Sequence, residues 1–370
     1  YNIILTPMRM QNNKKDFKGQ KIFVGIDVHL KSWTVTVMTE SGFHKTHTQN
    51  ISVDGLIKHL RQKYPGGEYH IVYESGFTGY STYYKFNDLG IRCDIINAAD
   101  VPSMQKEKLQ KTDNVDSYKL ARALKNGDFK DDFLFVPDRN LLDDRSVVRI
   151  RHQMVLDLAK IKSRIKHCLH FNGVEIPDSL RYSASHWTIQ FKTWLHTVKL
   201  IGDSRKSMDI LLETYDRRHR EVLDANTQLR RMCNFPRYNN NYKLLTSIPG
   251  IGQIAAMTIL TEVMDFSRFS CIRKFLGYIG LKPMTKSSGE NDRVGEMTFR
   301  GNHYINSVLV EASWIAIRKS VDLSSLYGRL LHQGMKPQKA IIRVARKLAC
   351  FIFATIRTQK AYEEDCADEK

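Results

Sequence analysis

Phe23-Val24-Gly25-Ile26-Asp27 is an apolar run closed by a carboxylate, and Trp33-Thr34-Val35-Thr36-Val37 follows it with strict alternation. Both patterns read as strands, the first ending on Asp27. Ile71-Val72-Tyr73-Glu74 repeats the device: a short apolar run, a terminal acid, then the turn signal Ser75-Gly76. Asp113 and Asp116 stand three residues apart in a polar, Lys-rich stretch that reads as helix, which puts them on one face. Each acid alone has an ordinary reading, as a turn or cap residue or as part of a solvated helix face. Their order within one domain length points elsewhere. Four converging carboxylates bind hard cations such as Mg2+ or Mn2+, and paired ions catalyse phosphodiester chemistry by clamping the attacking and leaving oxygens.

A strand-end Asp, a strand-end Glu and a helical acidic pair are what a ribonuclease-H-like α/β fold offers as metal ligands. The surroundings fit. Residues 21 to about 140 alternate strands and helices, with Ile91 to Ile96 as a further strand, and read as one α/β domain. Residues 141 to 235 carry long, charged, Pro-poor helical patterns, Val147 to Leu169 and Met208 to Leu229, broken near Pro177 and Ser183. They read as an antiparallel coiled coil or hairpin connector. A mainly helical segment follows over 236–358, and Glu363-Glu364-Asp365 opens a short acidic tail within 359–370.

Charge bounds the partners. Fifty-seven Lys and Arg against 39 Asp and Glu give +18, an excess that calls for a polyanion, most simply nucleic acid. No apolar run approaches the roughly 20 residues of a spanning helix, so no membrane partner is expected. The six scattered cysteines form no C-x-x-C pair, which suits a reducing cytoplasm and argues against a disulfide framework or zinc ribbon. His167, Cys168 and His170 lie in a charged helical run without a fourth ligand and read as a plain helix face. Residues 1–20 form a basic leader, with Lys14, Lys15, Lys18 and Lys21 in or beside it, expected to be disordered. Because that leader opens on Tyr1 rather than Met, its start reads as a fragment, a readthrough product or an artefact.

The helical segment carries a second set of signals. Ser247-Ile248-Pro249-Gly250-Ile251-Gly252 reads as a tight turn into a helix that starts near Gln253, a helix-hairpin-helix-like element. The free N–H groups behind Gly250 and Gly252 suit a DNA phosphate. The same glycines mimic a dinucleotide fingerprint, but Pro249 interrupts the strand that fingerprint needs. Between Arg268 and Lys347 fifteen Lys or Arg face five Asp or Glu. Within that stretch Thr285-Lys286-Ser287-Ser288-Gly289-Glu290 reads as a Ser-Gly loop, followed by Arg293, Arg300, Gly301 and Asn302. A loop serine is usually only that, but a dense positive field can make one a nucleophile. No G-x-S-x-G elbow is present, so an acyl hydrolase is disfavoured.

Phe-Val-Gly-Ile-Asp27, Tyr-Glu74-Ser-Gly-Phe-Thr-Gly-Tyr and Lys-Thr-Asp113-Asn-Val-Asp116 resemble the motifs of the DEDD transposases of the IS110 family, relatives of the Piv/MooV-type DNA invertases. Ser-Ile-Pro-Gly-Ile-Gly, Gly280-Leu281-Lys282-Pro283, Ser287-Ser288-Gly289 and Arg300-Gly301-Asn302 resemble the family's C-terminal domain, and the match runs in order from about 21 to 357. The resemblance implies a RuvC-like N-terminal domain, a coiled-coil connector and a C-terminal transposase domain with a serine nucleophile. It implies magnesium on Asp27, Glu74, Asp113 and Asp116, and cutting and rejoining of DNA through a phosphoserine intermediate. A structured bridge RNA that pairs with target and donor DNA is implied too, as are a dimer of dimers and a prokaryotic cytoplasmic, nucleoid-associated setting. Lys286, Arg293, Arg300, Asn302, Gly250 and Gly252 are the expected nucleic-acid contacts. Ser288 is favoured over Ser287 because the family's serine immediately precedes Gly.

The chain departs from the family at Ser117, usually Ala, at Glu290 and Asn291, and at Phe299, usually Lys. The last three lower the positive charge around the serine. An RNA-guided transposase explains every motif. A Piv-type invertase shares its chemistry, a Holliday-junction-type nuclease leaves Ser287-Ser288-Gly289 unused, and a non-catalytic nucleic-acid scaffold leaves the acids structural.

Overall fold

The run around Phe23 forms the central strand β1 (Lys21–Val28), and the Trp33 stretch returns beside it as antiparallel β2 (Trp33–Thr39). The computed structural model describes residues 16–102, 112–129, 133–182, 186–288, 291–297 and 301–364, and divides into two units, Tyr1–Val136 and Pro137–Lys370. In the first unit β3 (His44–Gln49) extends the antiparallel side of the sheet. On the other side β4 (Glu68–Glu74) pairs parallel with β1, and β5 (Arg92–Ile96) pairs parallel with β4. The strand order is β3-β2-β1-β4-β5.

Alternation sends the two faces of β1 into different cores. Ile22, Val24 and Ile26 pack with Leu56, Ile57 and Leu60 of α1 (Val53–Lys63) and Phe86 of α2 (Ser81–Asp88). Phe23 packs with Val72, Ile96 and the Leu120–Leu124 face of α3 (Asp113–Asn126). Gly25 lies under α3 with no room for a side chain, since a Cβ there would stand 2.2 Å from the Ser117 carbonyl oxygen. The threonine face of β2 is buried as well: the Thr36 hydroxyl bonds those of Ser117 at 2.9 Å and Thr46 at 2.7 Å. Ser117 in place of Ala is thereby accommodated, its hydroxyl satisfied inside the fold.

The second unit is built of helices and one hairpin. Helix α4 (Arg139–Phe171) runs antiparallel to α6 (Asp203–Cys233), since Leu169 shares a core with Met208 whereas Arg151 bonds Asn226 at 3.0 Å. Phe191 and Leu195 of α5 (Ile189–Thr197) close that core. The base of the α4–α6 pair, Val148 with Leu229 and Met232, belongs to the same core as α7 (Pro236–Thr246), α8 (Gln253–Val263), α9 (Ile272–Tyr278), α10 (His303–Ala316), α11 (Val321–His332) and α12 (Pro337–Thr358). Between α9 and α10, β6 (Pro283–Ser288) pairs antiparallel with β7 (Asn291–Met297). Ser287 and Ser288, read from sequence as loop residues, end a strand instead. The last pair of the two strands is Ser288 with Asn291.

Candidate active site

The acid cluster follows from strand register. The last parallel pair between β1 and β4 is Ile26 with Tyr73, so Asp27 and Glu74 each stand one residue beyond it on neighbouring strands. Gly25 and Val72 face α3, and alternation turns Asp27 and Glu74 to the same side. Helix α3 starts at Asp113, with Thr112 as its N-cap and both Asp113 and Asp116 in its first turn, where its dipole favours negative charge.

Asp27, Asp113 and His29 offer ligand atoms that all lie within 4.8 Å of one another. The His29 Nε2 is 3.0 Å from Asp27 Oδ2 and 3.4 Å from Asp113 Oδ1. Asp116 Oδ1 accepts from Lys119 Nζ at 2.9 Å, with the Lys119 side chain almost wholly buried. Glu74 is outside the 4.8 Å trio, at the adjacent strand end. The structure therefore brings together Asp27 and Asp113, sets Asp116 on the same helical turn, and adds a histidine that sequence reasoning passed over. The signal for His29 was its place two residues beyond a strand-end Asp.

Burial raises the Asp27 carboxyl above its ordinary range, against the opposing pull of His29, and the charges of Asp113 and Asp116 push the same way as burial. The Asp27 carboxylate in turn raises His29, aided by hydrogen bonds and by Asp113. A carboxylate crowded by two others favours a cation among them. The donor set of carboxylate oxygens with one imidazole fits Mg2+ or Mn2+, the nitrogen being better tolerated by Mn2+.

In the second unit the hairpin is tied at its base. A Cβ on Gly301 would stand 2.4 Å from the Gly280 Cα, so the two glycine backbones are in contact. Asn302 N–H donates to the Tyr278 carbonyl at 2.8 Å, and Asn306 Nδ2 to that of Ile279 at 3.2 Å. Asn302, expected to meet nucleic acid, is engaged inside the fold. Its Oδ1 caps α10, and its Nδ2 donates to Glu262 Oε2 at 2.7 Å and to the Tyr278 hydroxyl at 3.2 Å. Glu262, with a fully buried side chain, also accepts two bonds from the Arg149 guanidinium, at 2.6 and 2.8 Å. That pair raises Arg149, chiefly through hydrogen bonding.

Lys286 pairs with Arg293 across the hairpin, and Arg300 lies outside the described residues. Gly250 adopts φ +86° at the turn before α8, and a Cβ would strike the Ala312 carbonyl at 2.5 Å, so its glycine character serves packing on α10. Gly252 is the N-cap of α8 and has open space where a Cβ would stand. The N-terminus of α8 opens on a cleft of about 360 Å³ lined also by Arg151, Arg230 and Glu311.

Two family profiles match the chain in sequence order. A DEDD transposase profile of IS110 type, described as "Transposase", covers residues 24–172, and one described as "Transposase IS116/IS110/IS902 family" covers 242–328. A protein of Sinorhizobium fredii named as a candidate transposase is 26% identical over 370 residues, 91% of this chain and 89% of its own length. The transposase for insertion sequence element IS1533 of Leptospira borgpetersenii is 26% identical over 259 residues, 67% of this chain and 71% of its own length. The pilin gene-inverting protein of Moraxella bovis is 26% identical over 131 residues, 35% of this chain and 41% of its own. The first profile contains all four acids of the strand ends and α3, the second the turn before α8 together with the hairpin, and on that agreement the chain belongs to the IS110 family of transposases.

Proposed function

We propose that this protein is an RNA-guided DNA transposase that cuts and rejoins DNA, with Asp27, Glu74, Asp113 and Asp116 as metal ligands and Ser288 as nucleophile. The observation that carries the reading is the Asp27–His29–Asp113 cluster at the point where a parallel strand end meets a helix N-terminus. A bound Mg2+ or Mn2+ would polarise a phosphodiester and steady the oxygens that enter and leave. Asp27 and Asp113 would hold such an ion, and an ion that took His29 as a ligand would need its imidazole neutral, so binding should release protons to solvent.

Ser288 attacks phosphorus through its Oγ. One phosphorus–oxygen bond forms to serine, whose hydroxyl gives up its proton, as the bond to the leaving deoxyribose oxygen breaks and that oxygen takes one up. One phosphodiester replaces another, so no outside energy source is needed and the reverse step can join a new DNA end. The position of Ser288, paired with Asn291 beside the hairpin turn, supports this assignment over Ser287, whose partner is Asp292.

Guidance by RNA rests on the family and on charge. An excess of +18 favours backbone binding that is strong, salt-sensitive and nearly blind to sequence. Sequence must then come from base pairing with a guide, which would be the bridge RNA acting on target and donor DNA within an oligomer such as a dimer of dimers. The test mixes protein, cognate RNA and DNA substrates with Mg2+ and resolves denaturing-resistant protein–DNA adducts. Adducts should form with wild-type protein and with Ser287→Ala and vanish with Ser288→Ala. Adducts that persist in Ser288→Ala refute the nucleophile, and site-specific recombination by RNA-free protein refutes the guide. That second result would favour inversion of the kind the Moraxella relative's name describes.

A further inference from the structure

Helix α12 lies beyond the family-matched segment 242–328 and has an unusual charge balance. Its 22 residues include no Asp or Glu but five cations: Lys339, Arg343, Arg346, Lys347 and Arg357. At about 100° per residue these five fall within an arc of about 100°, opposite the buried stripe of Ile341, Val344, Leu348 and Ile352. They run along about 27 Å of helix.

The long helices treat charge differently. In α4 and α6, Lys160 pairs with Asp157, Arg205 with Asp209, Lys206 with Asp203 and Arg218 with Glu221. Such pairs at i,i+3 and i,i+4 offset repulsion on a helix surface. Along α12, among the described residues, no carboxylate lies within ion-pairing distance of any of the five cations. Lys347 and Arg357 instead lie over the rings of Phe351 and Phe353, at 5.0 and 5.7 Å, which holds their stems against the helix and leaves the charge unneutralised. Arg343 and Lys347 stand one turn apart, and like charges at that spacing destabilise a helix. A row that is neither offset nor scattered is suited to an external polyanion of regular charge spacing.

We infer that the outer face of α12 is a track for a nucleic-acid phosphodiester backbone. A duplex carries about one charge per 1.7 Å of axis, both strands counted, so 27 Å of duplex carries about sixteen phosphates, more than five cations need. Five cations can therefore engage a backbone without reading a base. The inference rests on the nucleic-acid role given by the proposed function, but it concerns binding alone, and its test uses neither metal nor cleavage.

The experiment measures binding of full-length protein in EDTA to a random-sequence DNA duplex and to a hairpin RNA, from 50 to 200 mM salt. Removing three backbone contacts in the triple variant K339Q/R343Q/K347Q should reduce the magnitude of the negative slope of log K against log salt by about 2.7 on duplex DNA. K339R/R343K/K347R should restore the wild-type slope. K160Q/K206Q/R218Q, which removes an equal number of already paired cations, should leave it unchanged. A fall on one nucleic acid alone identifies which backbone the track takes. Wild-type slopes for the α12 variant on both, or an equal fall in the paired-cation control, overturn the inference.

Discussion

Gly25→Ala tests whether the seat of α3 on β1 sets the acid cluster. The added Cβ would lie 2.2 Å from the Ser117 carbonyl oxygen, 2.5 Å from the Ala121 nitrogen and 2.8 Å from the Leu120 Cβ. Those neighbours are backbone or backbone-proximal and cannot swing aside as a side chain would. Restoring ordinary contact at 3.4 Å moves the helix off the strand by about 1.2 Å. Overpacking of this kind costs about 1–3 kcal/mol, and each kcal/mol lowers the Tm of a unit this size by about 4 °C. The functional effect should be larger. Asp113 rides on α3 and Asp27 on β1, so their separation widens by a similar distance, and a misplacement near 1 Å can cost about 100-fold in rate. Titration calorimetry with Mn2+ reads the affinity, calorimetric scanning the Tm, and adduct formation the rate. Ser117→Ala is the control: it deletes the hydroxyl bonded to Thr36 but leaves α3 seated, so its Mn2+ affinity should match wild type. A Gly25→Ala protein that binds Mn2+ as tightly as wild type refutes the argument.

Asp27→Asn and Asp116→Asn keep the side-chain shape but remove charge that would hold the ion, so both should lose Mg2+-dependent recombination and retain nucleic-acid binding. Recombination at the wild-type rate by both variants would dispose of the metal site. Glu262→Gln leaves the half-exposed Arg149 and the Asn302 amide facing a neutral group, and should destabilise the helical unit by about 2 kcal/mol, reduced from the fully buried case by solvent around Arg149. Its calorimetric transition should fall by about 5 °C. Binding of Mn2+ to wild-type protein at neutral pH should release protons, seen as a dependence of the measured heat on buffer ionisation; identical heats in all buffers would remove His29 from the site.

The strands and their terminal acids were legible because an apolar run and a closing carboxylate lie within five residues of each other. The long helices of the second unit were equally plain, since amphipathic pattern over twenty or more residues leaves little choice. Contacts across the chain were not legible. Arg149 and Glu262 are 113 residues apart and nothing local marks either as a partner. Gly25 reads as an ordinary strand residue until α3 is placed on it. His29 was hidden for another reason: a lone histidine after a strand carries no periodic signal, and only the fold shows that it bridges two acids. Asn302 went the opposite way, a polar residue in a basic motif that the fold uses to cap a helix and bind a buried carboxylate.

The contact between Gly280 and Gly301 has a consequence for how this chain can vary. Because the two backbones touch where the excursion leaves and rejoins the helical body, residues 281–300 begin and end at nearly one point in space. Evolution can lengthen, shorten or replace that cassette without altering the span that α9 and α10 must bridge. An engineer can do the same, grafting the hairpin of a relative between Gly280 and Gly301 and expecting the recipient core to melt as before. Variation in the hairpin is thereby uncoupled from variation in the scaffold, provided the two glycines stay.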